Sequence, residues 1–254
     1  MRDRLTLLEL VRSLRLRAQV SRPEDWAWGE RQTALDRLSS EIVSCRGCQL
    51  AATRIKAVPG VGSPEAQVVF VGEGPGYEED RKGEPFVGKA GQLLDRILKA
   101  MGLSRESVFI ANIVKCHPMK DPSTPEARGN DRPPSPEEIA ACRGFVERQI
   151  AAIAPRVIVC LGAVSAKALL GTTEPLSRIR GRWAEFRRPG GSGAPIPVMP
   201  TYHPAALLRD EALKGAVWSD MKAVLAALGR EAPGAGVLRP PGASALKEGA
   251  QTRR

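Results

Sequence analysis

The chain has 254 residues, 43% of them hydrophobic, so it has room for one sizeable α/β domain with tails or for two small domains at most. Its formal net charge of +10 indicates a polyanionic partner, with a merely soluble basic protein as the alternative. No apolar run is long enough to cross a bilayer, and residues 1–20 lack the apolar stretch of a secretory signal. We therefore expect a cytoplasmic protein without a membrane partner.

The first predicted elements are two helices. Residues 5–18 carry leucines at helical spacing, and Ser21-Arg22-Pro23-Glu24 is typical of a capping box that opens a second helix. We interpret residues 1–40 as an appended helical element, with docking of a replication or repair partner as one guess at its role. Residues 41–230 would form the α/β domain, and residues 231–254 have the composition of a disordered basic tail.

Strands then alternate with helices along the chain. Short apolar runs predict four strands, at residues 68–71, 108–112, 157–160 and 197–199. Helical patterns lie among them, at residues 91–101, 136–153, 163–170 and 216–228. This alternation predicts an α/β fold of three layers, α/β/α, with a central four-stranded parallel sheet. Residues 118–136 have no apolar periodicity and are predicted to form a long loop.

A glycine-rich loop, Gly72-Glu73-Gly74-Pro75-Gly76, follows the first predicted strand. In such folds ligands bind beyond the carboxyl ends of the strands, where Asn112 and the segment after Met199 also emerge. The loop fits neither a dinucleotide fingerprint nor a P-loop, because Tyr77 replaces the third glycine and no Gly-Lys-Ser/Thr follows. A purely structural turn is the alternative, but the acidic run Glu78-Glu79-Asp80 favours a neutral base or a developing cation over a phosphate.

The five cysteines predict a metal centre. An odd number of cysteines in a reducing cytoplasm argues against a disulfide framework. Cys45-x-x-Cys48 places two thiolates on a tight turn. Cys116 and Cys142 are further single candidates, whereas Cys160 lies in an apolar run as a small buried hydrophobe. No second Cys-x-x-Cys completes a zinc ribbon, so the spacing leaves zinc and an iron–sulfur cluster equally open.

Four motifs stand in order along the chain: Gly72-Glu73-Gly74-Pro75-Gly76, Pro85-Phe86-Val87-Gly88-Lys89-Ala90-Gly91, Asn112-Ile113-Val114-Lys115-Cys116 and His203-Pro204-Ala205-Ala206-Leu207-Leu208-Arg209. Together they resemble the family 4 uracil-DNA glycosylases, which are iron–sulfur enzymes. The resemblance runs from about Cys45 to about Leu228. It implies a DNA repair enzyme that flips uracil out of DNA, hydrolyses its N-glycosidic bond and leaves an abasic site.

The resemblance also implies a [4Fe–4S] cluster held by Cys45, Cys48, Cys116 and Cys142. One departure from the family is the 25 residues that separate Cys116 from Cys142, a longer spacing than usual. Because loop insertions cost little free energy, we expect the cluster to be retained. His117 is expected to be a loop residue or a phosphate contact rather than a ligand.

For the flipped base, the resemblance implies a site formed by the glycine loop and two side chains. Gly74, Pro75 and Gly76 would lie against the uracil, and Phe86 would stack on its ring. The amide of Asn112 would donate to O4 and accept from N3–H. Cytosine presents the opposite hydrogen-bonding pattern, so a fixed amide would reject it.

Cleavage leaves negative charge on the uracil and positive charge on the sugar. The resemblance implies that His203 and the backbone N–H groups of residues 73–76 stabilise the anion at O2. Glu73 or Glu79 would position water or stabilise the oxocarbenium ion. Glu79 would alternatively crowd the C5 position and exclude thymine.

Contacts with uracil-containing DNA are implied as well, for a protein that we expect to be a monomer. Leu207, supported by Leu208 and Arg209, would fill the gap left by the flipped nucleotide, although packing under the loop is the alternative for one of the leucines. Possible phosphate contacts, or otherwise a solvated basic face, are Lys89, Lys115, Arg178, Arg180 and Arg182.

Two rival functions stay open. A related branch of the family traps its abasic product covalently through a histidine in an inserted loop. Residues 118–141 contain no histidine, and Gly74 stands where that branch has glutamine, so trapping is disfavoured. The other rival is a non-catalytic nucleic-acid-binding module that uses the metal as a staple.

Overall fold

The computed structural model of the protein describes residues 26–188, 194–231 and 233. The helix predicted at residues 5–18 and the capping box at residues 21–24 lie outside the described residues. So does nearly all of the tail predicted for residues 231–254.

Eight α-helices are present within the described part of the chain: α1 (Trp28–Ser44), α2 (Tyr77–Lys82), α3 (Lys89–Ala100), α4 (Pro136–Ile153), α5 (Ala163–Leu170), α6 (Leu176–Ile179), α7 (Pro204–Arg209) and α8 (Leu213–Ala227). The strands are β1 (Val61–Gly62), β2 (Val68–Gly72), β3 (Phe109–Asn112), β4 (Val157–Leu161), β5 (Ala184–Phe186) and β6 (Ile196–Thr201), and a 3₁₀ helix covers Gln49–Ala52. None of the helices that the structure describes is long and apolar enough to span a membrane.

The sheet has six strands in the order β1-β3-β2-β4-β6-β5. The four inner strands run parallel and correspond to the four predicted ones, whereas β1 and β5 pair antiparallel at the two edges. The prediction of a four-stranded, wholly parallel sheet is therefore corrected to a mixed sheet of six strands. Both edge strands escaped prediction because they are very short, and each includes residues that are not buried.

Two apolar cores cover opposite faces of the sheet, which confirms the three layers. Val69 and Val71 face one core, together with buried residues of α1, α4 and α5. Val68 and Phe70 face the other core, which is completed by α3, α7 and α8. Because strand residues alternate between faces, apolar side chains at all of these positions require helices on both sides.

Helix α1 belongs to the body of the fold. Leu35 and Leu38 are buried in the same core as α4, and the Arg31 guanidinium donates to the backbone carbonyl of Ile153 at the end of α4. The domain boundary predicted at residue 40 falls inside this helix. A domain boundary at residue 40 would cut through α1, whose apolar face packs in the core of the domain.

Candidate active site

The carboxyl ends of β2 and β3 bring the glycine loop and Asn112 together. Gly72 and Asn112 are paired in register, so the strands end side by side. A Cβ atom on Gly72 would lie 2.3 Å from the Asn112 Oδ1 and 2.6 Å from Cζ of Phe86. Only glycine allows the amide and the ring to approach the backbone this closely.

His203 joins the same group of side chains. It follows β6, and its ring centroid lies 5.5 Å from that of Phe86, with the rings tilted by 31°. Phe86 thus lies near the imidazole, and like the amide of Asn112 it approaches Gly72 closely. The three side chains predicted to surround a base are brought together at one edge of the sheet.

A cavity of about 420 Å³ opens beside this group. Its lining residues are Glu73, Gly74, Pro75, Gly76, Pro118, Asp131, Arg132, Pro133, His203, Ala205 and Arg209. Asn112 and Phe86 are not among these residues: both are buried, Phe86 beside His203 and Asn112 beside Gly72, the residue that precedes Glu73. A cavity of this size falls within the usual range for small-ligand sites, roughly 300–1,000 Å³.

Phe86 has an uncommon backbone conformation, with φ of 57°. Such a left-handed conformation is costly for an aromatic residue and occurs mostly where the surroundings impose it. Arg105 supplies part of that constraint, since its guanidinium donates to the carbonyls of Pro85, at 3.0 Å, and Phe86. Gly91 supplies another part, because a Cβ there would overlap the Phe86 carbonyl. The sequence did not reveal the role of Arg105, which lies in a polar loop without a recognisable pattern.

Asn112 carries the site's most informative polar atom. Its Oδ1 is buried and has no hydrogen-bond partner among the described residues. A buried acceptor without a partner costs about 1–3 kcal/mol, so such atoms are rare unless a ligand satisfies them. This oxygen is therefore in place to accept a hydrogen bond from a bound N–H group.

Lys115 lies behind Asn112 and is fully buried. Its ammonium donates to the Asn112 carbonyl oxygen and to Oε1 of Gln149, both at 2.8 Å. Burial lowers the pKa of Lys115 to about 8, against the opposing effect of Cys142 and Cys116. The predicted phosphate contact at Lys115 is wrong, because the side chain points into the protein and holds the backbone of Asn112.

His203 caps the N-terminus of α7. Its Nδ1 accepts the backbone N–H of Ala205 at 3.1 Å, so Nδ1 carries no proton and the neutral ring is protonated at Nε2. Burial and, to a smaller extent, the charge of Arg209 lower the pKa of His203 to about 4. The imidazole is therefore a neutral hydrogen-bond donor.

Glu73 and Glu79 differ in what their carboxylates contact. Glu79 accepts the backbone N–H groups of Gly76, Val87 and Gly88, at 3.2, 2.9 and 3.0 Å. It thereby joins the glycine loop to the segment that carries Phe86, and both of its oxygens are occupied. Glu73 lines the cavity, and burial raises the pKa of its carboxyl group.

The two leucines of α7 face opposite ways. Leu207 is 2% exposed and belongs to the core shared with α3, whereas Leu208 is 47% exposed. The segment Pro204–Arg209 is a helix, in which neighbouring residues point in different directions. The intercalating side chain predicted at Leu207 is therefore buried, and Leu208 is the exposed leucine. Arg209 lines the cavity.

Four of the five cysteines lie near one another behind the site. The pKa of Cys142 is raised to about 11: burial raises it most, Lys115 opposes this, and the nearby Cys116 and Cys48 add smaller increases. Cys45 is among the residues that raise the pKa of Cys116, after the larger effect of burial. Cys160 lies apart in β4, fully buried, as the sequence predicted.

Three of these four sulfur atoms accept hydrogen bonds. The donors are the backbone N–H of Gly47 to Cys45, at 3.3 Å, the guanidinium of Arg54 to Cys116, at 3.0 Å, and the backbone N–H of Lys115 to Cys142, at 3.3 Å. N–H donors around buried sulfur are typical of thiolates that bind metal. Among the described residues, no group of three or more His, Cys, Asp and Glu side chains has the arrangement of a single-ion site.

His117 is buried rather than exposed. Its Nε2 lies 2.6 Å from Oδ1 of Asp131, and its Nδ1 lies 3.9 Å from Oδ2 of Asp80. Burial lowers the pKa of His117, but the two carboxylates more than offset this and raise it to about 9. The ion pair fixes the loop predicted at residues 118–136 against α2, so a role in phosphate contact does not fit.

Comparison with known proteins agrees with this geometry. The model of the family described as the uracil DNA glycosylase superfamily matches residues 59–222, a range that includes the glycine loop, Asn112 and His203. The type-4 uracil-DNA glycosylase of Archaeoglobus fulgidus is 42% identical over 204 residues, which cover 79% of this chain and 96% of that protein. The type-4 enzyme of Pyrobaculum aerophilum is 40% identical over 191 residues, or 74% of this chain and 91% of that protein.

A type-5 uracil-DNA glycosylase, from Thermus thermophilus, is similar over a smaller part of the chain. It is 32% identical over 130 residues, which cover 45% of this chain and 54% of that protein. The type-4 proteins therefore match both more closely and over a greater length. The chain belongs to the uracil-DNA glycosylase superfamily, as one of its type-4 members.

Proposed function

We propose that the protein is a DNA repair enzyme that releases uracil from DNA by hydrolysing the N-glycosidic bond. The observation that carries the proposal is the buried, unpartnered Oδ1 of Asn112 beside Phe86 and His203. Uracil offers the N3–H that this oxygen lacks. The names of the type-4 relatives support the same activity.

Base recognition follows from the fixed position of Asn112. Its Oδ1 accepts N3–H of the flipped uracil, and its amide nitrogen donates to O4. Lys115 and the pairing with Gly72 hold the backbone, so the amide does not move to suit another base. Cytosine has an acceptor at N3 and a donor at N4, so it would leave buried polar groups unpaired. The Phe86 ring covers the face of the base.

Bond cleavage requires stabilisation of the negative charge that develops on the uracil. The Nε2–H of His203 donates to O2 of the leaving base. Of the glycine-loop amides, Pro75 has no N–H and that of Gly76 is bonded to Glu79, which leaves Glu73 and Gly74 as donors. Because Glu79 is fully engaged, we assign stabilisation of the sugar cation or orientation of water to the Glu73 carboxylate.

The neutral state of His203 predicts a pH profile. Because the pKa of His203 is lowered from 6.5 to about 4, the ring stays neutral as the pH falls from 8 to about 5. We expect the single-turnover rate of uracil release to show no inflection from His203 in that range. An inflection near pH 6.5 that persists in Glu73→Gln and disappears in His203→Gln would contradict this assignment.

Leu208 is the side chain that we assign to the gap in the base stack. It is exposed on α7, a helix that begins at His203, so it lies close to the flipped base. An apolar wedge that replaces the extruded nucleotide compensates for lost stacking. Leu207 supports it from below by packing in the core with α3.

We further propose that the four neighbouring cysteines, Cys45, Cys48, Cys116 and Cys142, hold a [4Fe–4S] cluster. The N–H donors on three of the sulfurs support thiolate ligation. In such a cluster each cysteine binds a different iron, so the sulfurs need not converge on a single ion. When bound, the cluster would supply a covalent cross-link between the chain segments that carry these four cysteines.

Substitution of single cysteines tests the cluster. Cys142→Ala should abolish the stoichiometric iron and the visible absorption of the purified protein and lower its thermal stability, because one ligand is lost. The matched control is Cys160→Ala, which also removes a buried thiol but should leave the iron content unchanged. Equal iron in the two variants, measured per protein chain, would exclude Cys142 as a ligand.

The function itself is tested with an oligonucleotide that contains a single uracil. We expect free uracil and an alkali-labile abasic strand, with no release of cytosine or thymine. A complex that resists SDS would instead favour covalent trapping of the product. Binding to normal DNA without base release would favour the non-catalytic module.

A further inference from the structure

A second, larger groove is lined by a different set of residues from the candidate active site. It has a volume of about 990 Å³ and is formed by residues from the end of α5 to the start of β5. Its exposed side chains include Arg178, Arg182 and Trp183. We propose that this groove binds the DNA strand next to the flipped uridine, an inference that rests on the proposed release of uracil.

One part of the groove wall, at residues 180 and 181, lies at the edge of the sheet from which His203 emerges. The backbone N–H of Gly181 donates to the carbonyl of Pro200 in β6 at 2.9 Å. The guanidinium of Arg180 lies 5.5 Å from the ring centroid of Tyr202, the residue before His203. On the proposed function, a strand whose nucleotide is flipped towards His203 would have a path along this segment.

The wall of the groove is held rigidly against β6. Arg180 pairs with Asp220 at 2.5 Å, and the same carboxylate accepts the hydroxyl of Thr201 at 2.6 Å. Gly181 has φ of 69°, and a Cβ there would lie 2.7 Å from the Asp220 carboxylate. Arg180 thus positions the wall of the groove, and its predicted role as a phosphate contact is corrected. The neighbouring arginines, Arg178 and Arg182, are the ones that can contact a ligand.

The exposed side chains match the chemistry of single-stranded DNA. Trp183 is 45% exposed, and the side chains of Arg178 and Arg182 make no hydrogen bond or ion pair with the described residues. Of the two carboxylates in the lining, Glu185 is paired with Arg187 at 3.1 Å. An exposed aromatic ring in the same groove as two unpaired arginines can stack on a base while the guanidinium groups contact the flanking phosphates.

The volume of the groove and the exposure of its side chains favour a DNA strand over a small metabolite as its ligand. The groove has more than twice the volume of the base cavity and reaches the upper end of the usual range for small-ligand sites, roughly 300–1,000 Å³. Its polar side chains are exposed rather than buried, so they would contact a ligand that remains partly in solvent. The net charge of +10 agrees with a polyanion.

The test compares uracil release from a long and a short single-stranded oligonucleotide, each with one central uracil. Trp183→Ala should raise KM for the long substrate roughly 5- to 150-fold, the effect of losing one stacked base. KM for the short substrate and kcat for both should stay unchanged, and Trp183→Phe should restore most of the affinity. For Arg178→Ala with Arg182→Ala, the slope of log KM against log salt should fall by about 0.7 per arginine.

Arg37→Ala is the matched control, because Arg37 is an exposed arginine of α1 outside both the cavity and the groove. If the wild-type protein releases no uracil, the proposed function fails and the inference fails with it. If it releases uracil but the groove variants behave like Arg37→Ala, only the groove is excluded. An equal rise of KM for long and short substrates would also exclude it, since that indicates disturbance of the base cavity.

Discussion

Replacement of His203 by alanine should lower kcat for uracil release roughly 10²–10³-fold and change KM little, as expected when one donor to a developing anion is removed. The tautomer of the ring gives the reason. Nδ1 accepts the N–H of Ala205, so the ring proton is on Nε2, where it can be donated to the base. Because the pKa of His203 is lowered to about 4, the ring is also a neutral donor at neutral pH. A donor that bonds O2 only as charge develops contributes to kcat rather than to ground-state binding.

The alanine variant also loses the cap of α7, so the two effects must be separated. His203→Asn provides the control, because asparagine is a favourable N-cap residue and can accept the N–H of Ala205. We expect His203→Ala to lose about 1 kcal/mol of unfolding free energy. His203→Asn should keep that stability and still lose most of kcat. A kcat within threefold of wild type in both variants would remove His203 from the mechanism.

The central residues of the site could be predicted from the sequence for a physical reason. The apolar runs of β2, β3 and β6 mark where each strand ends, and parallel strands place their carboxyl ends at one edge. The glycine loop, Asn112 and His203 follow those three runs directly. Their convergence therefore follows from topology, and their chemical roles were inferred from family resemblance.

Residues whose side chains form hydrogen bonds with the backbone of the site could not be predicted in this way. Arg105 binds the carbonyls of Pro85 and Phe86, and Glu79 binds three amides, but in the sequence each is one charged residue among many in polar segments. Lys115 was misassigned for the same cause, since a lysine beside a predicted loop usually lies at the surface. Such roles depend on long-range contacts that no local pattern encodes.

The leucines of α7 and the edges of the sheet show a second limit. A helix of six residues is too short for a clear apolar period, so Leu207 and Leu208 could not be told apart as buried and exposed. Similarly, β1 and β5 have no apolar run of their own and form by pairing with neighbouring strands. Elements of this length take their conformation from the surrounding tertiary structure.

Replacement of Asn112 by alanine should have a still larger effect, lowering kcat/KM for uracil on the order of 10²–10⁴-fold. Two hydrogen bonds to the base are lost, and each buried group left unpaired costs about 1–3 kcal/mol. In the free protein, the same change removes the unpartnered Oδ1 and should therefore cost little stability, or none. The combination of a large loss of activity with an unchanged melting temperature distinguishes a ligand-binding amide from a structural one.

Asn112→Asp tests which base the position selects. A carboxylate only accepts, so it opposes O4 of uracil and suits the N4 amino group of cytosine, and the preference for uracil over cytosine should narrow. Asn130→Ala is the matched control: Asn130 is also a buried asparagine, but both its amide oxygen and its amide nitrogen are already hydrogen-bonded to Asp121 within its own loop. It should lose stability and keep the wild-type preference. If Asn112→Asp discriminates against cytosine as strongly as the wild type does, base selection lies elsewhere, because the amide nitrogen of Asn112 then does not face O4 of the base.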